Sequence, residues 1–483
     1  MKKSLLLFLS LFLTLLLSAQ SYTLTVNNGY GSGSYAPGTI VHIWSEAYSY
    51  QQSFDTWSGD TQYLDRPKEW HTTLMMPNQD LSISAQIKAL PPSATITFEE
   101  IMGRDRPKAV YHYLPPDPKG LLLFFHGTGG SAQGIISRPE SRSFLNSAIA
   151  DGYGILVTES EEATLNTDLN GDDKLRWQSS PVDTVNNVDY RNIRILLDTF
   201  RQRGAIAQTT PIVSVGMSNG GNFSAVLSAV YNFKAGVSYC AQANLGFYQL
   251  RQSPFAFRMA RFDENENVGP EGNAIALAHD SVLQVRGICH DYLLNDRQPL
   301  HPERFARIPG ISVDSSRLIF GELKAEGQLD AEDYALPSAE VADNYLMAPA
   351  TFPVLRSLNP SLRLIVLRQL GVINAEHRFY SDFNQATLDF FNTLCETTVS
   401  AASPTPKPSI LQVFPNPTHD QVHFVLPEGF DQLVLFDPLG RRLIQLRSPP
   451  STGHLDLSHL EPGCYFIRAK KGGTVLYGQV VKQ

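Results

Sequence analysis

The segment Pro211-Ile212-Val213-Ser214-Val215 is an apolar, strand-like run, and Gly216-Met217-Ser218-Asn219-Gly220 follows it at once. It leads into Gly221-Asn222-Phe223-Ser224-Ala225-Val226-Leu227, which reads as a helix. A serine on so short a strand-to-helix turn leaves no room for side chains two positions to either side, so glycine is required at both. The spacing G-x-S-x-G alone arises by chance in about one chain of this length in six. The strand before it and the helix after it make it a nucleophile elbow, with Ser218 as the nucleophile.

Such a turn needs parallel strands around it, and the neighbouring sequence supplies them. Leu121 to Phe125 and Gly154 to Thr158 are short apolar runs suited to a central parallel sheet. Between Asp183 and Gly204 the apolar residues Ile193, Leu196, Leu197 and Phe200 fall at helical spacing, with Asp183 as N-cap and Gly204 as the stop. Strands separated by helices from about residue 98 to 396 predict a doubly wound, mostly parallel sheet.

A nucleophile of this kind needs donors for the charge that develops on the attacked carbonyl, each worth about 3–4 kcal/mol. Directly after Leu121–Phe125 comes His126-Gly127-Thr128-Gly129-Gly130, where glycines let backbone N–H groups face a site. With the elbow and the strand pattern, about 300 residues resemble the α/β-hydrolase superfamily. The resemblance implies an oxyanion hole formed by the N–H groups of Asn219 and Thr128, with Gly129 as the alternative donor. Gly127, Gly129, Gly216 and Gly220 are the motif glycines, and His126 is a structural residue of its loop.

The superfamily orders its triad as serine, acid, histidine. Of the downstream histidines, His377 has the matching surroundings. Leu370 to Ile373 reads as a strand, Asn374-Ala375-Glu376-His377 as a loop, and Leu388, Phe391 and Cys395 mark one face of a closing helix. His377 is therefore the expected general base. Two acids compete. Asp263 follows the strand-like Phe255 to Ala260 and precedes Val268 and Pro270, as in hydrolases of this kind. Asp291 lies past Asn273 to Arg286, which reads as a helix containing His279 and C-capped at Gly287. Asp263 is preferred on that ground. From Asp263 to His377 is 114 residues, more than one helix and one strand require, so about residues 299–365 are expected to form a cap over the site.

The ends of the chain differ from this middle. Lys2, Lys3, the apolar run Leu5 to Leu17 and the small residues Ser18-Ala19 make residues 1–20 a secretory signal peptide, too short for a comfortable membrane span. No later run reaches ~18 uninterrupted apolar residues, so no transmembrane segment is expected in the mature chain. Residues 21–89 alternate as short strands. YTLTVNNGYGSGSYAPGTIVHIW, FDTWSGD and TTLMMPNQDLSISAQI resemble the divergent internalin-type B-repeat module of exported bacterial proteins. Trp44, Trp57 and Trp70 lie here and are expected to fill its thin core, a sugar-stacking or protein-contact face being the alternative. Residues 90–97 and 397–408 read as linkers.

Residues 409–483 form a second β module. VFPNPTHDQVHF, LVLFDPLGRRLI and LDLSHLEPGCYFIRAKKGG closely resemble the C-terminal sorting domain of type IX secretion substrates. That implies an outer-membrane export route of Bacteroidetes-type bacteria and contact with the type IX machinery. The protein would then be secreted or held at the cell surface.

With 39 basic and 47 acidic side chains the net charge is −8, and loss of the signal peptide's two lysines makes it −10. No basic field exists for nucleic acid, which is excluded as a partner. The four cysteines, Cys240, Cys289, Cys395 and Cys464, match no metal or redox spacing and read as buried thiols or one disulfide. Asp168, Asn170 and Asp172 have calcium-loop spacing, but Asp173 stands where glycine is needed and Ser179 where a bidentate Glu is needed, so a solvated turn is expected. No cofactor and no metal are expected. The fold expected is a central α/β-hydrolase domain flanked by two small all-β modules. The activity expected is that of an exported serine hydrolase cleaving a carboxylic ester. A peptidase of the same fold and a surface adhesin with a vestigial hydrolase domain are the alternatives.

Overall fold

The computed structural model describes residues 20–46, 51–395 and 411–482, the last with gaps at 416–417, 428, 437–441, 462 and 472–473. Residues 1–19 of the expected 1–20 signal peptide and the expected 397–408 linker lie outside the described residues. Eight strands form the central sheet: β1 (Thr97–Met102), β2 (Pro107–Tyr113), β3 (Leu121–Phe125), β4 (Gly154–Val157), β5 (Ile212–Met217), β6 (Ala235–Tyr239), β7 (Phe255–Ala260) and β8 (His290–Asn295). They lie in the order β1-β2-β4-β3-β5-β6-β7-β8, with β3 to β8 parallel and β2 antiparallel to both its neighbours. This sheet with its helices fits an α/β-hydrolase core.

The apolar runs are continuous because both faces of the sheet are covered. Strand β3 is buried at all five positions. The two-residue period of a strand sends Leu122 and Phe124 to one face, where they meet Phe144 and Leu145 of α2 (Pro139–Ala150). Leu121, Leu123 and Phe125 go to the other. There they meet Ile193, Leu196, Leu197 and Phe200 of α3 (Val188–Gln202) and Phe223 of α4 (Asn219–Val230). The N-cap of α3 is Asn187, whose side chain accepts from Asp189 and Tyr190 N–H. Asp183 instead closes a turn of its own on Val185 and Asn186 N–H, an Asx turn that competes with capping. Helix α5 (Gly269–Val285) contains the expected 273–286 segment almost whole and ends before Gly287 at φ +64°.

Two readings of the later sequence are corrected. Leu370–Ile373 is not a strand but the last turn of α8 (Pro360–Ile373), which Asn359 caps at its N-terminus. A short apolar run cannot by itself distinguish a strand from a buried helix end. The last strand of the central sheet is β8, which begins only three residues after Gly287. After β8, where an insertion over about 299–365 is expected, the chain folds into a helical unit that runs on through α8. With α6 (Val313–Ala325) and α7 (Ser338–Met347) it closes a separate core around Phe305, Ile319, Leu323, Val341, Val366 and Leu370. A disulfide joins Cys289, just before β8, to Cys395, past the end of α9 (Asn384–Thr393). Cys240 is free and buried.

The N-terminal strands make a four-stranded and a three-stranded sheet around Leu24, Ile43, Trp57, Leu74 and Ile83. Of the three tryptophans expected there, only Trp57 joins this core. The Trp44 indole donates to Gln298 Oε1 at 2.8 Å and the Trp70 indole to Ser381 O at 3.0 Å, while the Arg304 and Arg307 guanidiniums lie over Trp70. Glu69 accepts from the N–H groups of Gln385 and Ala386, two first-turn donors that α9 cannot satisfy internally. Leu90 and Ala94 are buried in the core beneath the sheet, so the 90–97 connection is packed down and not a free linker. The C-terminal residues form two further antiparallel sheets with their own core, including Val422, Leu435 and Ile467. Among the described residues no helix is long and apolar enough to cross a membrane.

Candidate active site

Strand β5 delivers Ser218, and the turn is as tight as the sequence requires. Ser218 has φ 56° and ψ −123°, a sparsely populated conformation that costs on the order of 1–3 kcal/mol and persists only when its surroundings hold it. Its N–H donates to Tyr239 O at the end of β6. A Cβ on Gly216 would lie 1.9 Å from Gly220 O, and one on Gly220 would lie 2.3 Å from Phe125 O. Both glycines are thus demanded by backbone passing backbone. Helix α4 starts immediately after the serine, so the positive end of its dipole faces the place where charge would develop.

The loop after β3 runs alongside. A Cβ on Gly127 would sit 3.3 Å from Ser218 Cβ, and Gly129 has φ +66°. Among the described residues the N–H groups of Thr128 and Asn219 have no protein acceptor, whereas Gly129 N–H is engaged by Leu175 O at 2.8 Å. Gly129 is therefore not the alternative donor. His126 turns inward. Its Nδ1 faces Gly127 O at 2.8 Å and its Nε2 accepts from Ser160 N–H. Burial lowers its pKa to about 4, so it is neutral and structural at ordinary pH. Trp177, which the sequence did not single out, ties the two strands of the site together. Its N–H donates to Asn219 Oδ1 and its indole to His126 O.

His377 arrives from the insertion. Helix α8 ends in a Schellman motif, with Ala375 at φ 52°, Glu376 N–H on Gly371 O and Ala375 N–H on Val372 O. The Glu376 carboxylate accepts from Ser338 N–H and Oγ at the start of α7. Asp263 arrives from the turn after β7, and Phe262 N–H binds Ala375 O, stitching the two loops together. Asp263 Oδ2 lies 2.7 Å from His377 Nδ1, and its Oδ1 accepts from Asn265 N–H at 2.9 Å. The carboxylate is fully buried. A carboxylate can only accept, so Nδ1 carries the hydrogen and Nε2 has the lone pair. Ser218 and His377 line one cavity of about 670 Å³ between the strand ends and α8.

Asp291, the competing acid, points elsewhere, its Oδ2 being 2.8 Å from the buried Arg258 guanidinium. His279 lies within α5 with Nδ1 on Gln242 O. Cys240 Sγ, the Asp263 carboxylate and the His377 ring lie within 4.8 Å of one another. They suit a metal poorly, because the Asp263–His377 bond uses the facing atoms, and burial, then the Asp263 charge, pushes the thiol well above its ordinary pKa. The Asp168 carboxylate accepts from the N–H groups of Asn170, Gly171 and Asp173, closing its own turn as expected.

Residues 412–483 match the family described as the secretion system C-terminal sorting domain. The tail therefore marks the chain for type IX export to the cell surface or medium. Among curated proteins none matches the chain in sequence. Similar solved structures include an esterase from Pyrococcus furiosus, at 11% identity over 42% of this chain and 83% of that one, TM-score 0.31. An esterase from Pyrobaculum calidifontis is 14% identical over 49% and 87%, TM-score 0.30. An acylaminoacyl peptidase from Pyrococcus horikoshii is 12% identical over 56% and 50%, TM-score 0.31.

Proposed function

We propose that the chain is an exported serine hydrolase that cleaves carboxylic esters through an acyl-enzyme on Ser218. One observation carries this reading. A buried carboxylate 2.7 Å from an imidazole Nδ1 directs the other ring nitrogen toward the cavity that a strained serine also lines. In this reading Ser218 Oγ attacks the carbonyl carbon while its proton passes to His377 Nε2. Asp263 holds the ring in that tautomer and stabilises the imidazolium. The N–H groups of Thr128 and Asn219 bind the oxyanion. Imidazolium then protonates the leaving alcohol, and water repeats the sequence on the acyl-enzyme. Residues 1–20 act as a signal peptide into the periplasm, and the sorting domain carries the chain across the outer membrane. Residues 21–89, read as an internalin-type B-repeat-like module, brace the insertion and α9.

The test is fluorophosphonate labelling of the intact protein with peptide mapping, followed by para-nitrophenyl butanoate and its anilide. Label on Ser218, with ester cleaved and lost in Ser218→Ala, is the expected result. Absence of labelling in folded protein would refute the reading, and preferential cleavage of the anilide would replace ester by amide.

A further inference from the structure

Three arginines from three separate segments converge on the cavity of Ser218. Arg138 lies between α1 (Ala132–Ser137) and α2, Arg368 lies on α8 of the insertion, and Arg378 follows His377. Their charges act on one another. Arg138 is exposed and Arg368 and Arg378 are half-buried, but desolvation within the cavity, then Arg368 and Arg378, pull the Arg138 guanidinium below its ordinary pKa, and desolvation, then Arg378, does the same to Arg368.

Among the described residues none of the three has a carboxylate partner, although carboxylates are near. Glu140 is taken by Arg304 and Arg307 at 3.1 Å each. Glu266 is taken by Lys174, Asp172 by Arg176, and Glu376 by Ser338. Arg378 spends one nitrogen on His377 O, and its buried Nε has no partner. Three guanidiniums without a carboxylate partner in one concave site can receive an oxyanion with planar, paired acceptors.

Resting on the hydrolase reading above, we infer that the substrate is an ester carrying a second, ionised carboxylate, which Arg138, Arg368 and Arg378 bind while Ser218 attacks the ester carbonyl. The carboxylate can belong to the acyl part, as in a monoester of a dicarboxylic acid, or to the alcohol part, as in an ester of a hydroxy acid. Either way it is recognised by the same charge, and no bond to it is made or broken. Because α8 carries both Arg368 and the loop to His377, the anion engages the element that presents the base.

The experiment uses the full mature chain at low ionic strength and compares shape-matched pairs. Para-nitrophenyl hydrogen succinate against para-nitrophenyl 4-methylpentanoate tests the acyl side, and butanoyloxyacetate against butanoyloxyacetamide tests the alcohol side. In at least one pair the anionic ester is expected to show kcat/KM at least about tenfold above its neutral partner, carried mainly by KM. That ratio should shrink in Arg138→Gln and Arg368→Gln and with added salt. It should persist in Arg194→Gln, which removes an equal charge from the outer face of α3. A ratio below about tenfold in both pairs, or one that the two cavity variants leave intact, overturns the inference. Loss of fluorophosphonate labelling on Ser218 would sink the hydrolase reading itself. Labelled enzyme that cleaves neutral and anionic esters alike sinks only the carboxylate.

Discussion

Replacing Asp263 by Asn tests the site with a change of one atom. In the native turn Oδ1 accepts from Asn265 N–H at 2.9 Å while Oδ2 faces His377 Nδ1 at 2.7 Å. An amide has only one oxygen, and the Asn265 N–H requires it on its own side, so the NH2 group must face the imidazole. Nδ1 then becomes the acceptor and Nε2 carries the hydrogen, leaving the ring unable to take the Ser218 proton. The wrong tautomer lowers kcat by about 10⁴, or about 5 kcal/mol of transition-state stabilisation. KM changes little, since the buried side chain touches no substrate. Glu266 does not rescue the loss, being exposed and paired with Lys174. The assay is steady-state ester hydrolysis, with thermal unfolding to verify the fold. Asp291→Asn is the comparison. It frees the buried Arg258, so it is expected to cost about 3 kcal/mol of stability but less than tenfold in kcat. If Asp291→Asn cripples kcat and Asp263→Asn does not, the assignment of the acid is wrong.

Gly220→Ala places a methyl 2.3 Å from Phe125 O, which no side-chain motion relieves. It is expected to abolish activity and lower the unfolding free energy by at least ~3 kcal/mol in denaturant titration. Trp70→Ala empties the stack beneath Arg304 and Arg307 and should cost about 3–5 kcal/mol, so an unchanged Tm would show that the N-terminal sheets do not brace the insertion. Burial holds His279 at a pKa of about 4, below its ordinary value. Its neutral form is favoured in the fold, and the associated stability is present above pH 6.5 and is lost as pH falls toward 4. Between pH 7 and 5 the native chain should lose about 2 kcal/mol more stability than His279→Gln, and equal losses would contradict this. Deleting residues 409–483 should leave active enzyme in the periplasm, and arrival at the surface or in the medium would contradict the sorting role.

The elbow was legible because its strand, turn and helix lie within about fifteen consecutive residues, although only the Gly216 clash is local and the Gly220 clash is with Phe125 O of a neighbouring strand. Asp263 and His377 were legible as loop residues in the right chain order, although the run taken for the strand before His377 proved to be the end of α8. Strand β8 was missed because a polar His290-Asp291 opens it three residues after a helix stop. The docking of the N-terminal sheets could not be read, since it depends on pairs such as Trp44–Gln298 and Trp70–Ser381, which are 254 and 311 residues apart. The three cavity arginines are each unremarkable in sequence and become a group only when the insertion folds back over the sheet.

Helix α8 roofs the cavity with Ile365, Arg368, Gln369 and Val372, and its last turn is also what sets His377 against Asp263. A roof built this way cannot swing aside as a door does. Lifting it would pull on the Glu376–Ser338 and Phe262–Ala375 contacts and part the Asp263–His377 pair. In the proposed reading, substrate would then meet the Asp263–His377 pair already in place. The roof and the Asp263–His377 pair are one lever: a substitution that moves α8 also shifts His377.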